Sequence, residues 1–230
     1  MRSFYSILVS GILLGAATPG YSQGTGTSEH YIGVTGGGGI ADNLFGGTNT
    51  LGSFSNTDSQ RSQTGFVAVQ YGLQNAFDFA GAPVTAEIEF SRGAPYTVVS
   101  ASFPGLPTPG FFYTSNITIS RVGTNIWREV GQMGTINVEV GGGLGFQITQ
   151  FSTSDGVVAA APAAYTTGYA KIGLRANKAI NDRTNFTFVT EFIQSAPLTA
   201  PLDGGGSGVI THATRDVRVG VGVQIKIGQN

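Results

Sequence analysis

The fold is decided by the stretch Val217-Arg218-Val219-Gly220-Val221-Gly222-Val223-Gln224-Ile225-Lys226-Ile227. Each odd-numbered position holds Val or Ile, and each even-numbered position holds a charged residue, a polar residue or Gly. This period of two is typical of a β-strand, whose successive side chains point to opposite faces. Such a strand is about 33 Å long at about 3.3 Å per residue. When tilted by about 40–45°, it matches the apolar band of about 25 Å that membrane-spanning strands present to lipid.

Seven earlier segments repeat this alternation, so the sequence predicts eight strands. The chain is therefore expected to be all-β, an eight-stranded antiparallel up-and-down transmembrane β-barrel over residues 30–228. The earlier segments are 30–40, 65–74, 84–92, 111–121, 136–148, 167–178 and 185–195. In the fourth segment the residues predicted to face lipid are Phe111, Tyr113, Ile117 and Ile119. In the seventh, Val189 and Ile193 depart from the pattern, because they fall on the face that should be polar.

The connections between these segments alternate in length. Long stretches rich in Gly, Ser, Thr and Pro follow the odd-numbered strands, at 41–63, 93–110, 151–165 and 196–212. Shorter turns follow the second, fourth and sixth strands, and the clearest is Asn181-Asp182-Arg183-Thr184. Long loops at one end and short turns at the other are typical of outer-membrane barrels, with the long loops outside the cell. The even strand count then leaves both chain ends on the periplasmic side.

Aromatic residues near the two ends of the strands predict two girdles at the membrane interfaces. Those near the short turns are Phe77, Phe79, Trp127 and Phe186, and those near the long loops are Phe111, Tyr113, Phe151 and Tyr165.

Residues 1–22 are predicted to be a secretory signal peptide. Arg2 supplies the positive start, the apolar stretch 4–17 comes next, and Pro19-Gly20 interrupts any helix before small residues that suit cleavage. The alternative is a transmembrane helix, which needs about 20 apolar residues and is disfavoured by a stretch of about 14. Residues 23–29 are then a short periplasmic tether, and the expected location is the cell outer membrane.

Composition excludes several classes of protein. Only 11% of the 230 residues are charged, and 12 Lys and Arg against 13 Asp and Glu give a net charge of −1. This balance excludes a basic nucleic-acid surface, and a hydrophobic share of 40% excludes a disordered acidic chain. The sequence has no Cys, which excludes disulfides, thiolate metal sites and Cys nucleophiles.

Charged residues within the predicted strands share phase with the polar face, so they are expected to point into the barrel. Inside an eight-stranded barrel they would form a network that fills the lumen, because such a lumen is barely wide enough for its own side chains. The alternative is a narrow polar pore that leaks small solutes or is gated by these pairs, with water beside the interior glycines. Arg175 and Glu191 are expected to meet across the sixth and seventh strands, with Lys171 or Glu139 completing the cluster. The predicted network consists of Glu87, Glu89, Glu139, Lys171, Arg175, Glu191, Arg218 and Lys226.

Nothing in the sequence predicts a catalytic, cofactor or metal site. His30 and His212 are expected to be solvated residues at the two rims, and neither is followed two positions later by the Ser that would suit an activated hydroxyl. The glycines of 36–39 match part of a dinucleotide pattern, but residues 42–47 are typical of a loop and not of a helix that could bind pyrophosphate.

The order of these patterns resembles the OmpA/OmpX-type barrels, and in particular the small porin-family β-barrel domain of Gram-negative outer membranes. The resemblance rests on the motifs at 31–38, 86–90, 140–146 and 217–223. It implies a non-enzymatic, monomeric surface barrel with a structural, adhesive or weak pore role. The implied partners are membrane lipid, lipopolysaccharide and the outer-membrane assembly machinery. Two alternatives stay open: a barrel-embedded lipid A hydrolase or acyltransferase, and a soluble secreted lipocalin-like barrel.

Overall fold

The computed structural model describes residues 28–49, 52–55, 60–79, 81–101, 112–154, 156, 159–202 and 208–227. The predicted signal peptide and most of the predicted tether lie outside these ranges. Among the described residues there is no helix long and apolar enough to cross a membrane. The strands in this part of the chain are β1 (Glu29–Asn49), β2 (Gly52–Ser55), β3 (Gln60–Phe79), β4 (Ala82–Gly93), β5 (Tyr96–Ala101), β6 (Phe112–Met133), β7 (Ile136–Ser154), β8 (Ala159–Asn181), β9 (Thr184–Ser195), β10 (Leu198–Leu202) and β11 (Gly208–Ile227).

Eight of these strands form a closed antiparallel ring in the order β1-β3-β4-β6-β7-β8-β9-β11, which confirms the predicted strand number and topology. The ring closes between β11 and β1, where the pairing runs from His30 opposite Ile227 to Thr48 opposite Val209. The short strands β2, β5 and β10 continue the lines of β3, β4 and β9. The predicted short turn between the sixth and seventh strands is present, since β8 ends at Asn181 and β9 begins at Thr184.

The outward face of the ring forms an apolar band, which we call the belt. It agrees with the predicted lipid-facing side of most strands, including the whole of the stretch 217–227. A contiguous apolar surface of this kind needs a lipid environment. The belt includes the exposed residues Ile32, Val34, Val67, Val69, Tyr71, Ile88, Phe90, Val122, Ile126, Val140, Leu144, Phe146, Ile148, Ile172, Leu174, Phe186, Phe188, Phe192, Val217, Val219, Val221, Val223 and Ile225.

The prediction of four long loops is wrong, because strands occupy most of these residues. The strands continue beyond the belt at the end opposite the two chain ends, and we call this part of the barrel the extension. It consists of 41–49, β2, 60–65, β5, 112–121, 147–154, 159–168, β10 and 208–216. The alternation continues there with its hydrophobic sense reversed: Phe45, Ile117 and Phe151 are buried inside, whereas Thr97 and Asn116 are exposed outside. This is the pattern of a barrel wall that faces water. A prediction based on outward-facing apolar residues does not recognise these strands, because their apolar residues point inward.

Because of this reversal, the predicted phase of the fourth strand is wrong. Tyr113 and Ile117 are 2% and 1% exposed inside the extension, and Ile119 is buried with them, while Phe111 lies outside the described residues. The lipid-facing residues of β6 are the even-numbered ones, such as Val122 and Ile126. The two predicted aromatic girdles are also incorrect in part. Trp127 and Phe151 point inward and are buried.

The extension is made of two sheets that face each other across an apolar core. One sheet contains β10, β11, β1 and the outer part of the β2–β3 line, and the other contains β5, β6, β7 and β8. Where the extension begins, two backbone hydrogen bonds still join the two sheets. Ala94 N–H donates to Gly65 O at 2.9 Å, and Ala196 N–H donates to Gly168 O at 2.8 Å. Beyond these bonds Pro95 and Pro197 supply no N–H, and no ladder joins β5 to β3 or β10 to β8 among the described residues. We call these two unpaired lines the seams.

Interior glycines make room for large side chains and not for water as predicted. The Tyr31 ring lies over Gly72, and the Trp127 ring lies over Gly141. At Gly222 an added Cβ would overlap the backbone of the neighbouring strand β1, so replacing this residue by Ser is not the mild change that an open lumen would allow. An eight-stranded barrel has a narrow interior, and glycines opposite bulky residues are one way to fill it.

Replacing Val221 by Arg tests the belt. Val221 is 51% exposed at the middle of the lipid-facing stripe of β11, so Val221→Arg should lower the free energy of unfolding in lipid by about 2–4 kcal/mol. Val221→Leu is the matched control and should be nearly neutral, because it keeps an apolar side chain toward lipid. Urea titrations of protein folded into lipid vesicles measure both values. Equal effects of Arg and Leu would contradict the assignment of this face to lipid.

Candidate functional site: the charged lumen

The lumen at the level of the belt contains a first cluster of paired charges around Lys171. The Lys171 ammonium donates to Glu89 Oε2 at 2.7 Å and to Glu191 Oε1 at 2.6 Å. Arg218 donates to Glu191 Oε2 at 2.7 Å and lies 3.6 Å from Glu89. All four side chains are buried, so each carboxylate exchanges its hydration shell for cations and hydrogen bonds.

A second cluster surrounds Arg175. Its Nε donates to Glu139 Oε2 at 2.5 Å, and its Nη1 pairs with Glu87. Tyr31 also donates to Glu87, and the Trp127 indole N–H donates to the second oxygen of this carboxylate at 2.7 Å. The Arg175 guanidinium lies 4.6 Å from the centre of the Trp127 ring. Glu87 is therefore held by a cation and by two neutral donors at once.

Asn125 connects the two clusters because its amide nitrogen lies 3.3 Å from Glu87 Oε2 and 3.1 Å from Glu89 Oε2. The joined network has four carboxylates, at 87, 89, 139 and 191, and three cations, at 171, 175 and 218. The uncharged donors Tyr31, Trp127, Asn125 and Asn177 therefore supply hydrogen bonds that the three cations alone would not. Buried charges that are paired and hydrogen-bonded in this way are tolerated, whereas an orphaned one is costly.

Strand register explains these partners and corrects the expected meeting of Arg175 with Glu191. Arg175 lies opposite Glu139 on β7 and opposite Val189 on β9, so its cross-strand carboxylate is on the other neighbouring strand. Glu191 lies opposite Gly173 on β8 and opposite Arg218 on β11. The register between β8 and β9 shifts between Ala179 and Asn181, and a count from the turn alone misses this irregularity.

Lys226 does not join the network. It forms an ion pair of 2.6 Å with Glu29 at the barrel end that holds both chain ends. The two side chains are 22% and 21% exposed, so this pair lies at the rim and not in the closed lumen.

Above the two clusters lies a buried ion pair that the sequence pattern did not predict. Arg121 pairs with Asp216 across the lumen, and its Nε donates to Gln147 Oε1 at 2.8 Å. Arg121 belongs to β6, whose odd-numbered residues the sequence pattern places toward lipid. Asp216 directly precedes the stretch 217–227 and so lies outside the predicted strand. The sequence does contain a signal for Asp216. It has the same parity as Arg218, so the two residues share the inward face of β11.

The space left between these side chains is small. Two cavities of about 20 Å³ each are separated by Phe66, over whose ring Arg218 lies at 4.2 Å from the centre. The upper cavity is lined by Asp216 and Arg218, and the lower one by Gln224. Each of these three residues has one buried polar atom with no partner among the described residues. A volume of this size holds about one water molecule, which would satisfy such atoms.

The two histidines have different surroundings. His30 is exposed at the rim as predicted, where its Nδ1 lies 2.8 Å from the Tyr71 hydroxyl. The prediction of a solvated rim is wrong for His212, which is 1% exposed inside the extension and stacks on Phe151. Its Nε2 lies 3.0 Å from Asn43 Oδ1. Burial lowers the pKa of His212 to about 3, so the imidazole is neutral at physiological pH.

No family model matches the sequence, and neither does any curated protein. Solved structures share the fold. The outer membrane protein OprG from Pseudomonas aeruginosa aligns at a TM-score of 0.56 and 12% identity, over 89% of this chain and 99% of that structure. A major outer membrane protein from Thermus thermophilus aligns at a TM-score of 0.50 and 9% identity, over 83% and 99%. Neisserial surface protein A aligns at a TM-score of 0.45 and 8% identity, over 87% and 99%. The fold is that of outer-membrane β-barrels, and the belt is the apolar surface that such a fold presents to lipid.

The pairing of Lys171 with Glu191 can be measured by a double-mutant cycle. Lys171→Met and Glu191→Gln should each destabilise the barrel, but by less than the about 3–5 kcal/mol of a fully orphaned buried charge, because Arg218 or Glu89 still pairs with the charges that remain. Their coupling energy should be about 0.5–3 kcal/mol, measured as free energies of unfolding in lipid. The matched control is the cycle of Arg175→Met with Glu191→Gln, whose coupling should be near zero because these side chains do not meet. The reverse ranking of the two cycles would contradict the observed network.

Proposed function

We propose that the protein is a non-enzymatic outer-membrane barrel with a closed lumen, which serves a structural and surface-adhesive role and does not conduct solutes. The observation that carries this proposal is the double closure of the lumen. The charge network fills it at the level of the belt, and the Arg121–Asp216 pair and the apolar core of the extension fill it above. Solute passage would require breaking buried ion pairs, which is costly in a dry interior.

The extension supports the surface role. It stands at the barrel end opposite the chain ends, so it lies outside the cell when the chain ends are periplasmic. Strands paired over most of its length make its wall stiffer than four flexible loops would be, and its outward face is largely polar. A stiff polar wall that stands above the membrane is suited to contacts with other surface molecules.

The proposed partners follow from the two outer surfaces of the barrel. Membrane lipid covers the belt, lipopolysaccharide surrounds its outer edge, and the outer-membrane assembly machinery inserts the barrel. We propose a monomer, because the ring within the belt is closed and offers no strand edge to a second copy.

The rival functions have less support. A lipid A-modifying enzyme would need an activated side chain that lipid can reach, but His212 is enclosed among Phe45, Asn43 and Phe151. A soluble lipocalin-like barrel would place apolar residues inside along its whole length, whereas this barrel places them outside in the belt.

Conductance in planar bilayers tests the closed lumen. Refolded protein should give no resolvable single-channel steps, because buried ion pairs cross the lumen at two levels. The variant with both Glu191→Ala and Arg218→Ala removes one cation and one carboxylate together and should raise the ion leak, since it removes two side chains that fill the lumen. Stable channels from the unaltered protein would overturn the closed barrel and favour the pore.

Lipid A composition tests the enzymatic alternative. His212→Phe keeps a ring between Phe45 and Phe151 and removes the imidazole, so the barrel should keep its heat-modifiable gel mobility. Mass spectra of lipid A should be the same from cells with the unaltered protein, with His212→Phe and with an empty vector. A lipid A change that needs the unaltered protein and is lost in His212→Phe would contradict the non-enzymatic proposal.

A further inference from the structure

The outer wall of the extension contains an uncharged groove of mixed polar and apolar lining, which is separate from the charged lumen. It has a volume of about 440 Å³ and crosses four strands, β5 to β8. Its floor consists of two rows of outward-facing residues that are direct cross-strand neighbours. The lower row is Thr118, Gln150 and Ala164, and the upper row is Thr97, Asn116 and Ser152.

The groove has no charged side chain, and its hydroxyl and amide side chains lie among exposed Pro and Ala residues. Thr97 donates to Asn116 Oδ1 at 2.9 Å, which fixes the Asn116 amide and leaves its nitrogen free to donate. Within the described part of the chain, Thr118, Gln150 and Ser152 make no side-chain hydrogen bond. Such a set of neutral donors and acceptors matches the hydroxyl groups of sugars. The groove has no charged side chain that could pair with a phosphate.

The height of the groove on the barrel identifies what lies beside it. Gln150 and the belt residue Ile148 lie on the same face of β7, two residues apart. The groove therefore begins directly above the lipid-facing surface. Molecules at that height are the headgroups of outer-leaflet lipids. In the orientation proposed above, these headgroups are the saccharides of lipopolysaccharide.

One cation stands just below the groove. Arg92 lies opposite Ser120, two residues before Ala94-Pro95, and it is exposed on the lipid-facing side of β4. It has no ion-pair partner among the described residues. A guanidinium at this level can bind a phosphate through two parallel hydrogen bonds.

We propose that one lipopolysaccharide molecule binds here, with a phosphate of its lipid A on Arg92 and hydroxyl groups of its core sugars in the groove. The vertical order of the two subsites matches the order of these groups in the lipid, since the phosphate lies nearer the acyl chains than the outer sugars do. This inference rests on the proposed function for the outward orientation of the extension.

Titration of the refolded full chain in detergent with three probes tests this site. The probes are lipopolysaccharide with a complete core, lipopolysaccharide truncated to lipid A, and phosphatidylglycerol. Ala164 is exposed in the lower row, so Ala164→Trp fills the groove without removing an internal contact. It should weaken binding of the complete-core form about tenfold, the equivalent of one or two lost hydrogen bonds, and leave the truncated form unchanged. Arg92→Gln should weaken both forms, and phosphatidylglycerol should bind more weakly than either.

Ala213→Trp is the matched control, because Ala213 faces outward from β11 in the other sheet of the extension. It should bind all probes as the unaltered protein does. If Ala164→Trp fails to fold, the double variant Asn116→Ala with Gln150→Ala is expected to show the same selective loss. Equal binding of complete-core lipopolysaccharide by groove variants and control would overturn the proposal. Channel activity would overturn the closed lumen yet leave this binding difference in place, so the two failures are distinguishable.

Discussion

The structure depends on one constraint, which is that charges placed inside a narrow eight-stranded barrel must satisfy one another. A charge on the outward face would meet hydrocarbon, so in the middle of the belt the acidic and basic residues point inward. The lumen leaves only water-sized gaps, and the ionic groups therefore need partners of opposite sign within hydrogen-bond distance. The pairs Lys171–Glu191 and Arg175–Glu139 meet this need by joining side chains of different strands. The same contacts that satisfy the charges also close the passage.

The barrel could be predicted from sequence wherever lipid imposes the pattern. In the stretch 217–227 hydrocarbon contacts one face and the lumen the other, so the alternation is nearly perfect. Above the belt water replaces lipid, and the apolar side chains point inward. The alternation correctly predicts a strand at Tyr113 and Ile117, but it places these two residues toward lipid when they are buried inside. The period of two thus identifies a strand, but only knowledge of the surroundings tells which face is inside.

The network illustrates a second limit of the sequence. Seven of the eight residues chosen by phase lie together in the lumen, because phase depends only on the parity of a position. Their pairing depends on register, and register is altered by single-residue irregularities such as the one between Ala179 and Asn181. Lys226 has the correct phase but lies at the rim. The sequence pattern does not predict Arg121, because it places the wrong face of the fourth strand inward. It does not predict Asp216, because it begins the eighth strand at Val217, one residue later.

The two seams give the extension a mechanical freedom that the belt lacks. Within the belt each strand is bonded on both sides, so no strand can move outward without breaking ladder hydrogen bonds. In the extension the sheets are held together across the seams by side-chain packing, and Pro95 and Pro197 prevent the ladders from continuing there. The two sheets can therefore separate slightly and close again at the expense of packing alone. Amide hydrogens along the seams should exchange with solvent through this breathing motion, well before the barrel as a whole unfolds.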